Sequence, residues 1–415
     1  MPQHNRTAAI NSALHARTTA LTAQAFTATT AAGLGSASLW DAVFNGRSHL
    51  RANDFTPTAI TAWIGRVDGL ETAALPAHFS EWECRNNRLA WLALNQDGFF
   101  DAARRAVAHC GPRRIAVIMG TSTGSVGATE EGYARLTASG SFAHDLLRPI
   151  VHTPHSLGDF VQRVSGLRGP CITVATACSS SAKVFAQAAR LIETGVVDAA
   201  LVGGVDTLCG SVLFGFNALQ LVAAEPCKPF DAGRVGLSLG EAGGFAVLER
   251  VKPNVARSAG ELQLRGYGES SDAHHMSAPH PQGLGAQYAM RDALARGGID
   301  AGDVGYLNLH GTATPANDKA EALAVAAIFP GHLHASSTKG WTGHTLGAAG
   351  IVESVIALLA LESGELPGTL NSADPDPACG PQIRFDNARA DTLRYAMNNS
   401  FGFGGNNCSL LFGRA

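Results

Sequence analysis

The sequence lacks the features that mark several broad classes of protein. Its 415 residues carry 31 Lys and Arg against 34 Asp and Glu, a formal net charge of −3. This charge gives no basic field of the kind that nucleic-acid binding needs. We find no apolar run of about 18 residues, so we expect no membrane span. The first residues also lack an apolar stretch typical of a secretory signal, and we expect a flexible N-terminus at residues 1–22.

Paired cysteines are missing as well. The eight cysteines are scattered at positions 84, 110, 171, 178, 209, 227, 379 and 408. None forms a Cys-x-x-Cys pair, and none has zinc-finger spacing to a histidine. This pattern favours reduced thiols in a cytoplasmic protein. Most should be small buried side chains, so position must decide which thiol carries chemistry.

Short apolar runs rich in β-branched residues recur ahead of glycine-rich turns. Examples begin at Ile115, Cys171 and Ala199, and helical patterns follow them. This alternation predicts an α/β protein with buried, largely parallel strands. The chain is also longer than one hydrophobic core usually requires. An interruption at Lys252-Pro253-Asn254 favours two halves, residues 23–260 and 261–415.

Cys178 lies in a turn of small residues that follows a predicted strand and opens a predicted helix. A thiol there lies near the positive end of the helix dipole and near free backbone N–H groups. This position predicts a lowered thiol pKa and a nucleophilic thiolate. The alternative is a buried structural cysteine in a tight strand-to-helix turn.

Two of the 15 histidines occupy similar glycine- and threonine-rich turns. His310 ends a predicted strand before Gly311-Thr312-Ala313-Thr314, and His344 precedes a helical stretch that starts at Ala348. Two imidazoles that donate hydrogen bonds to one carbonyl oxygen would stabilise an enolate formed by decarboxylation. Metal binding is the rival use, but neither histidine has a carboxylate or thiol at ligand spacing. We therefore expect no metal.

Further motifs lie around these three turns. They are Thr29-Thr-Ala-Ala-Gly-Leu-Gly35, Leu167-Arg-Gly-Pro170, Gly203-Gly204, Pro229-Phe-Asp231, the segment Ser270 to Pro279, and Asn399-Ser-Phe-Gly-Phe-Gly-Gly-Asn406. In this order they resemble the type II, elongating β-ketoacyl-acyl-carrier-protein synthases of fatty acid and polyketide assembly, within the thiolase-like superfamily. The resemblance implies a duplicated αβαβα layered α/β fold with two mixed five-stranded sheets.

The resemblance also implies a catalytic network of Cys178, His310, His344, Lys339 and Glu353. Cys178 would take an acyl group from a carrier protein or coenzyme A as a thioester. The two histidines would promote decarboxylation of a malonyl thioester and hold the enolate. Lys339 and Glu353 would support the site electrostatically. The activity implied is that of an acyltransferase, a 3-oxoacyl-carrier-protein synthase.

Other positions gain roles from the same resemblance. Thr312 and Thr314 would contact the pantetheine arm, and Asp318 and Glu321 would support the site from behind. Phe403 would be the gate, and its backbone N–H would form an oxyanion hole with that of Cys178. The glycines beside the gate, Gly402 and Gly404, also belong to the predicted site, and Thr123 is expected to line the acyl pocket.

Some positions depart from the family pattern. Arg234-Val235-Gly236 replaces a common Arg-Asp-Gly, and Trp341 is bulkier than the usual residue. These departures favour a specialised condensing enzyme, for example of a polyketide-like or aryl polyene pathway. The alternative from another class is a non-catalytic subunit like a chain length factor, although such subunits usually lack the cysteine. A thiolase and a coenzyme-A-primed initiating synthase fit less well, because the closing motif and His344 follow the carrier-protein pattern.

The resemblance implies partners rather than a bound cofactor. We expect an acyl carrier protein as substrate donor, with the phosphopantetheine arm arriving on it, and a homodimer or a heterodimer with a related subunit. Carrier proteins are acidic, so a basic patch is expected near the tunnel mouth. Arg85, Arg88 and Arg234 are the candidates for this patch.

Overall fold

The computed structural model describes residues 17–56, 60–251 and 260–415. The interruption at Lys252-Pro253-Asn254, on which the expected division rested, lies outside the described residues. Residues 1–16 of the expected flexible N-terminus also lie outside the described residues. The last two residues of that expected segment, Leu21 and Thr22, belong to a buried strand.

The strands are short and most are buried. They are β1 (Leu21–Thr29), β2 (Arg51–Ala52), β3 (Trp63–Gly65), β4 (Ile115–Gly120), β5 (Cys171–Val174), β6 (Ala199–Asp206), β7 (Leu239–Gly240), β8 (Ala242–Arg250), β9 (Leu262–Ser271), β10 (Val304–Asn308), β11 (His334–Ser336), β12 (Glu365–Leu366), β13 (Ala388–Arg389), β14 (Tyr395–Gly402) and β15 (Asn406–Arg414).

The α-helices alternate with these strands. They are α1 (Gly35–Phe44), α2 (Arg85–Leu94), α3 (Phe99–Cys110), α4 (Val126–Ala134), α5 (Ser156–Ser165), α6 (Ser180–Glu193), α7 (Gly210–Ala218), α8 (Leu284–Gly297), α9 (Pro315–Ala326), α10 (Lys339–Thr342) and α11 (Ala349–Ser363). Short 3-10 turns join them at Ala77–Trp82, Pro112–Arg114, His144–Leu146, Ala301–Asp303, Leu346–Ala348 and Phe403–Gly405.

Ten strands form one mixed sheet in the order β11-β10-β14-β15-β9-β1-β8-β6-β4-β5. In each five-strand half, the three strands from the outer edge pair in parallel, and the next two strands pair antiparallel. The strands of the two halves follow one another along the chain in the same order. The expected duplicated fold is confirmed, with one difference. The halves are not separate sheets, because β1 and β9 pair at Leu21 with Leu264 and at Thr22 with Gln263.

The layers follow from which helices contact which half. The helices α2, α3 and α5 cover the β1-to-β8 half, and α8 covers the β9-to-β15 half with α9 packed on it. Helices α6 and α11 contact strands of both halves and each other. These two helices are therefore the central layer of an αβαβα arrangement.

Helix α11 lies in an apolar stretch, contrary to the expectation that the chain has no apolar run of about 18 residues. Leu346–Ser363 is an 18-residue stretch with a mean hydropathy of 1.7, long and apolar enough to span a membrane by composition alone. However, 83% of it is buried inside the protein. Its hydrophobicity is explained by contact with both halves of the sheet, since a helix that is apolar on all sides packs in a core.

The two central helices meet backbone to backbone at their first turns. A Cβ atom added to Gly350 would lie 2.4 Å from the backbone nitrogen of Ala182, much closer than side-chain carbons approach. The N–H of Ile351 also donates a hydrogen bond to Ser181 Oγ at 2.9 Å. Only glycine at position 350 leaves room for this contact.

Gly350→Ala should lower the free energy of unfolding by about 1–3 kcal/mol, because the added methyl group must push α6 and α11 apart. Denaturant-induced unfolding followed by circular dichroism measures the change. Gly302→Ala is the matched control, since a Cβ there meets nothing within 4 Å. Equal stability of the two variants would contradict the tight helix contact.

Candidate active site

Cys178 is held in a sharp turn between β5 and α6. Ala177 has a φ of 52°, in the left-handed region that L-residues seldom adopt, and this reverses the chain between strand and helix. The turn is fixed by the N–H of Thr176, which donates to Ser180 Oγ at 2.9 Å, and by Ser180 Oγ–H, which donates to the carbonyl of Ala177. This strained turn presents the Cys178 thiol at the start of α6.

Both predicted histidines lie at the same cavity. His344 Nε2 is 3.0 Å from Cys178 Sγ. The rings of His310 and His344 are 5.3 Å apart between centroids and nearly perpendicular, at 87°. Both side chains are buried, and their Nδ1 atoms find no hydrogen-bond partner among the residues that the structure describes. The structure thus brings together three residues that are up to 166 positions apart.

Burial dominates the protonation of this cluster. Burial raises the pKa of the Cys178 thiol to about 12, and the charge of Lys339 and the backbone N–H groups of Phe403 and Cys178 oppose the rise. Burial, followed by the Lys339 charge, holds the pKa values of His310 and His344 well below 6.5. The sequence-based prediction of a lowered thiol pKa is therefore wrong for the free protein. At neutral pH the cluster consists of a neutral thiol and two neutral imidazoles.

Lys339 and Glu353 form a buried ion pair behind the histidines. Lys339 Nζ contacts Glu353 Oε1, and both side chains are almost fully buried. Burial raises the pKa of Glu353 to about 7, against the opposing effect of Lys339. Neither residue lines the cavity that contains Cys178. Their effect on the site is electrostatic, because the Lys339 charge lowers the pKa of both histidines and opposes the rise of the thiol pKa.

Glu321 fixes the loop that carries His310. Its carboxylate accepts the N–H of His310 at 2.8 Å and the N–H of Gly311 at 2.7 Å, and Asn399 Nδ2 donates to it at 3.2 Å. Burial raises the pKa of Glu321 to about 7, and these donors oppose the rise. The carboxylate therefore positions the backbone of His310 from one turn of α9.

Asp318 fixes the next part of the same loop. Its carboxylate accepts the N–H of Ala313 at 3.2 Å and the N–H of Phe230 at 2.8 Å. Arg234 Nε lies 3.4 Å from Asp318 Oδ2, and both side chains are buried. The loop after His310 is thus tied to the segment that contains Pro229-Phe230-Asp231.

A cavity of about 250 Å³ opens over Cys178 and both histidines. Thr312 and Thr314 line it, and their hydroxyls are hydrogen-bonded to each other at 2.9 Å. The segment Gly402 to Gly405 forms another wall, and Phe403 in it stacks on Phe216 of α7 with centroids 5.6 Å apart. The remaining side of the cavity is mostly apolar and includes Leu221 and Leu237.

Thr123 is not part of this cavity. Its N–H and its hydroxyl both donate to Asp206 Oδ1, at 2.9 and 2.7 Å. Thr123 was predicted to line the acyl pocket, but it does not line the cavity over Cys178 in this chain. Sequence reasoning also missed Asp206, a fully buried carboxylate at the end of β6. An aspartate after Gly-Gly-Val carries no motif of its own, so no local signal pointed to it.

The three arginines proposed as a basic patch are paired with carboxylates. Arg85 binds the fully buried Glu241 through Nε and Nη2, and Arg88 Nε contacts Glu83 at 2.7 Å. Arg234 is buried and paired with two aspartates, Asp318 and Asp376. Arg85 and Arg88 line a second cavity together with the acidic residues Glu83, Glu130, Glu131 and Asp145. The expected patch at these residues is therefore wrong.

The two unusual residues lie in different environments. Val235 is 57% exposed, so the missing charge at this position costs no buried hydrogen bond. Trp341, in contrast, is buried in the main hydrophobic core. Its indole N–H has no partner in the described part of the chain.

One group in the described ranges could hold a metal ion. The ligand atoms of His109, Cys110 and Glu249 lie within 4.8 Å of one another. None of the three lines the cavity over Cys178, so any ion there would be separate from the cysteine and histidines.

Comparison with known proteins agrees with this geometry. Residues 83–254 match the family described as beta-ketoacyl synthase, N-terminal domain, and residues 262–373 match its C-terminal domain. The chain belongs to the β-ketoacyl synthase family. This β-ketoacyl synthase is an acyltransferase by class, with a thiolase-like fold.

One curated relative matches nearly the whole chain, and another matches more than half of it. Nodulation protein E of Rhizobium meliloti (strain 1021) is 35% identical over 390 residues, which are 92% of this chain and 95% of the relative. The 3-oxoacyl-[acyl-carrier-protein] synthase 2 of Staphylococcus aureus is 36% identical over 257 residues, 60% of this chain and 64% of the relative.

A solved structure shows the same fold. It is a chain of the ketosynthase ApeO in complex with its chain length factor ApeC, from Xenorhabdus doucetiae. The two chains share 35% identity with a TM-score of 0.85, over 96% of this chain and 98% of that one.

The raised thiol pKa predicts how Cys178 reacts in the free enzyme. Only the thiolate is alkylated, so the rate of iodoacetamide addition to Cys178 should rise about tenfold per pH unit between about pH 7 and about pH 9. Peptide mass spectrometry after timed quenching measures this rate, with Cys178→Ala as the background. A rate that levels off within this range would show a lowered pKa instead.

Proposed function

We propose that this synthase joins an acyl group carried on Cys178 to a malonyl group on an acyl carrier protein, with loss of CO2. The observation that carries the proposal is the arrangement of the thiol and two imidazoles in one buried cavity, with His344 Nε2 at 3.0 Å from Cys178 Sγ. Such an arrangement supplies a nucleophile, a proton acceptor and two hydrogen-bond donors for one carbonyl oxygen.

The first step is acyl transfer. The thioester arm enters beside Thr312 and Thr314, and Cys178 Sγ attacks the acyl carbonyl carbon. The thiol proton passes through the imidazole of His344, which is neutral and in contact with the sulfur, to the departing carrier thiol. The N–H groups of Cys178 and Phe403 already point at the sulfur, so they can stabilise the oxyanion beside it.

The second step is decarboxylation and condensation. The malonyl thioester oxygen accepts hydrogen bonds from His310 and His344 while the bond between its carboxylate and α-carbon breaks. The electron pair forms an enolate, whose α-carbon attacks the acyl carbonyl on Cys178. The carbon–sulfur bond then breaks, and the released thiolate takes a proton from solvent. Burial keeps both imidazoles neutral, so they stabilise the enolate as hydrogen-bond donors rather than as cations.

The non-catalytic alternative requires that this cluster be inherited without use. The residues around it argue otherwise, because Glu321 holds the turn of His310 and the Lys339 charge acts on the thiol and on both histidines. In the proposed mechanism the phosphopantetheine arm arrives with the carrier protein, and no further cofactor takes part.

The proposal includes a partner subunit of related fold. The Xenorhabdus ketosynthase is described in complex with its chain length factor. In this chain β5 is one of the two edge strands of the ten-stranded sheet and is only half-buried, and exposed apolar side chains occur on α4 and α7 at Val126, Tyr133 and Phe214. An unpaired edge strand favours pairing with a strand of a second subunit, and the exposed apolar side chains would independently favour burial in an interface.

Acyl transfer can be tested directly. After incubation with acyl-loaded carrier protein, intact-mass spectrometry should show an acyl adduct on the wild type and none on Cys178→Ala. His310→Ala should still form the adduct, whereas its condensation rate should fall by about 10²–10³, because one enolate donor is lost. The exposed His332, replaced by alanine, serves as the control and should keep full activity. Absence of any wild-type adduct, with a related subunit also present, would favour the non-catalytic alternative.

The partner proposal predicts an assembly of two subunits in solution. Light scattering after size-exclusion chromatography should give about twice the 43.0 kDa of one chain, alone or after coexpression with a related subunit. A monomer under both conditions would overturn the partner proposal and leave the catalytic one standing.

A further inference from the structure

Asp206 lies where the turn that carries His344 meets the loop after β4, yet it neither lines the cavity nor contacts the expected catalytic residues directly. Its carboxylate is fully buried at the end of β6. Within the described residues it forms no ion pair. It accepts three backbone N–H groups and three hydroxyls instead, from Thr121, Ser122, Thr123 and Gly347.

These donors come from two separate parts of the chain. Thr121, Ser122 and Thr123 follow β4, whereas Gly347 lies three residues after His344. The N–H of Gly347 donates to Asp206 Oδ2 at 2.6 Å and is also 3.2 Å from Ser122 Oγ. The turn presses against the carboxylate, since a Cβ added to Gly347 would lie 2.6 Å from Asp206 Oδ2. Leu346, next to it, has a φ of 57°.

The position of the His344 ring depends on such backbone anchors. Its Nδ1 has no partner in the part of the chain that is described, so no side chain sets the ring orientation from behind. On one side, the N–H of His344 donates to the carbonyl of Ser238 at 2.7 Å, and its carbonyl accepts the N–H of Gly240 at 2.9 Å. Three residues after His344, the turn is held by the Asp206 carboxylate, which accepts the N–H of Gly347.

We propose that Asp206 is a positioning residue that holds the His344 turn against the loop after β4, so that the His344 ring stays aligned between Cys178 and the malonyl carbonyl. This inference rests on the proposed function. It assigns Asp206 to the step that uses His344 as an enolate donor, and not to the nucleophilicity of Cys178.

The carboxylate affects Cys178 in the opposite direction. Burial raises the pKa of the Cys178 thiol most, and the Asp206 charge adds to this rise, whereas Lys339 and the backbone N–H groups of Phe403 and Cys178 oppose it. Loss of the Asp206 charge should therefore make the thiol easier to ionise, while loss of its hydrogen bonds should misplace His344. If Asp206 were needed only for structure, its loss would slow both condensation and the alkylation of Cys178.

Asp206→Asn separates these effects. The amide NH₂ of asparagine would face the N–H of Gly347 or the N–H groups of the loop after β4, so the turn loses an acceptor. We expect kcat for condensation and for malonyl decarboxylation to fall about 10- to 100-fold, the size of a small misplacement of a reacting group. The KM for malonyl carrier protein should not change. Alkylation of Cys178 by iodoacetamide at a fixed pH should become faster.

Two further variants keep the test decisive. Ser122→Ala removes an exposed hydroxyl that bridges Asp206 and Gly347, and it should lower condensation in the same direction but less, even if Asp206→Asn does not fold. Asp198→Asn neutralises a surface carboxylate just before the same strand, paired with Arg114, and should behave as the wild type in both assays.

The outcomes distinguish this inference from the proposed function. A wild type that neither decarboxylates nor condenses overturns the proposed function, and the inference with it. An active wild type with equally active Asp206→Asn and Ser122→Ala overturns the role of Asp206 alone. Parallel loss of condensation and alkylation in folded Asp206→Asn also overturns it, because the carboxylate would then act on Cys178.

Discussion

The contact between the first turns of α6 and α11 is the constraint on which the site depends. Each helix follows a turn that carries one reacting side chain, Cys178 before α6 and His344 before α11. Because Gly350 touches the backbone at Ala182, the two turns cannot lie far apart, and the 3.0 Å contact of sulfur and imidazole follows. The duplicated fold supplies this geometry, since α6 and α11 occupy equivalent places in the two halves of the sheet.

The electrostatics of the site follow from this burial. Desolvation keeps the thiol and both imidazoles neutral, while Lys339, paired with Glu353 outside the cavity, acts on them through its charge. Hydrogen bonds and aligned backbone N–H groups, rather than a free ion, therefore act on the thioester. Such dipoles are effective where water is excluded, because they need no reorganisation when charge develops.

The sequence predicted the residues of this site better than their environment. Cys178, His310 and His344 were found because each lies in a small-residue turn at a strand end, a pattern visible locally. Their convergence depends on pairing between strands far apart in the chain, which no local pattern shows. The same limit explains the error about Arg85, since it pairs with Glu241, 156 positions away. Thiol pKa was mispredicted because the helix dipole is readable from sequence and the depth of burial is not.

The close packing of α6 also decides where a larger substrate can find room. Added Cβ atoms at Gly120 and Gly204 would lie 2.5 Å or less from Ser181, so the floor beneath the nucleophile is sealed against both strands. This close packing leaves no room for a larger group beneath Cys178. More room is available where side chains line the cavity, as at Phe216, Leu221 and Leu237. In this chain, the space for a larger group over Cys178 therefore depends on side chains that line the cavity and not on the packing of the central helices.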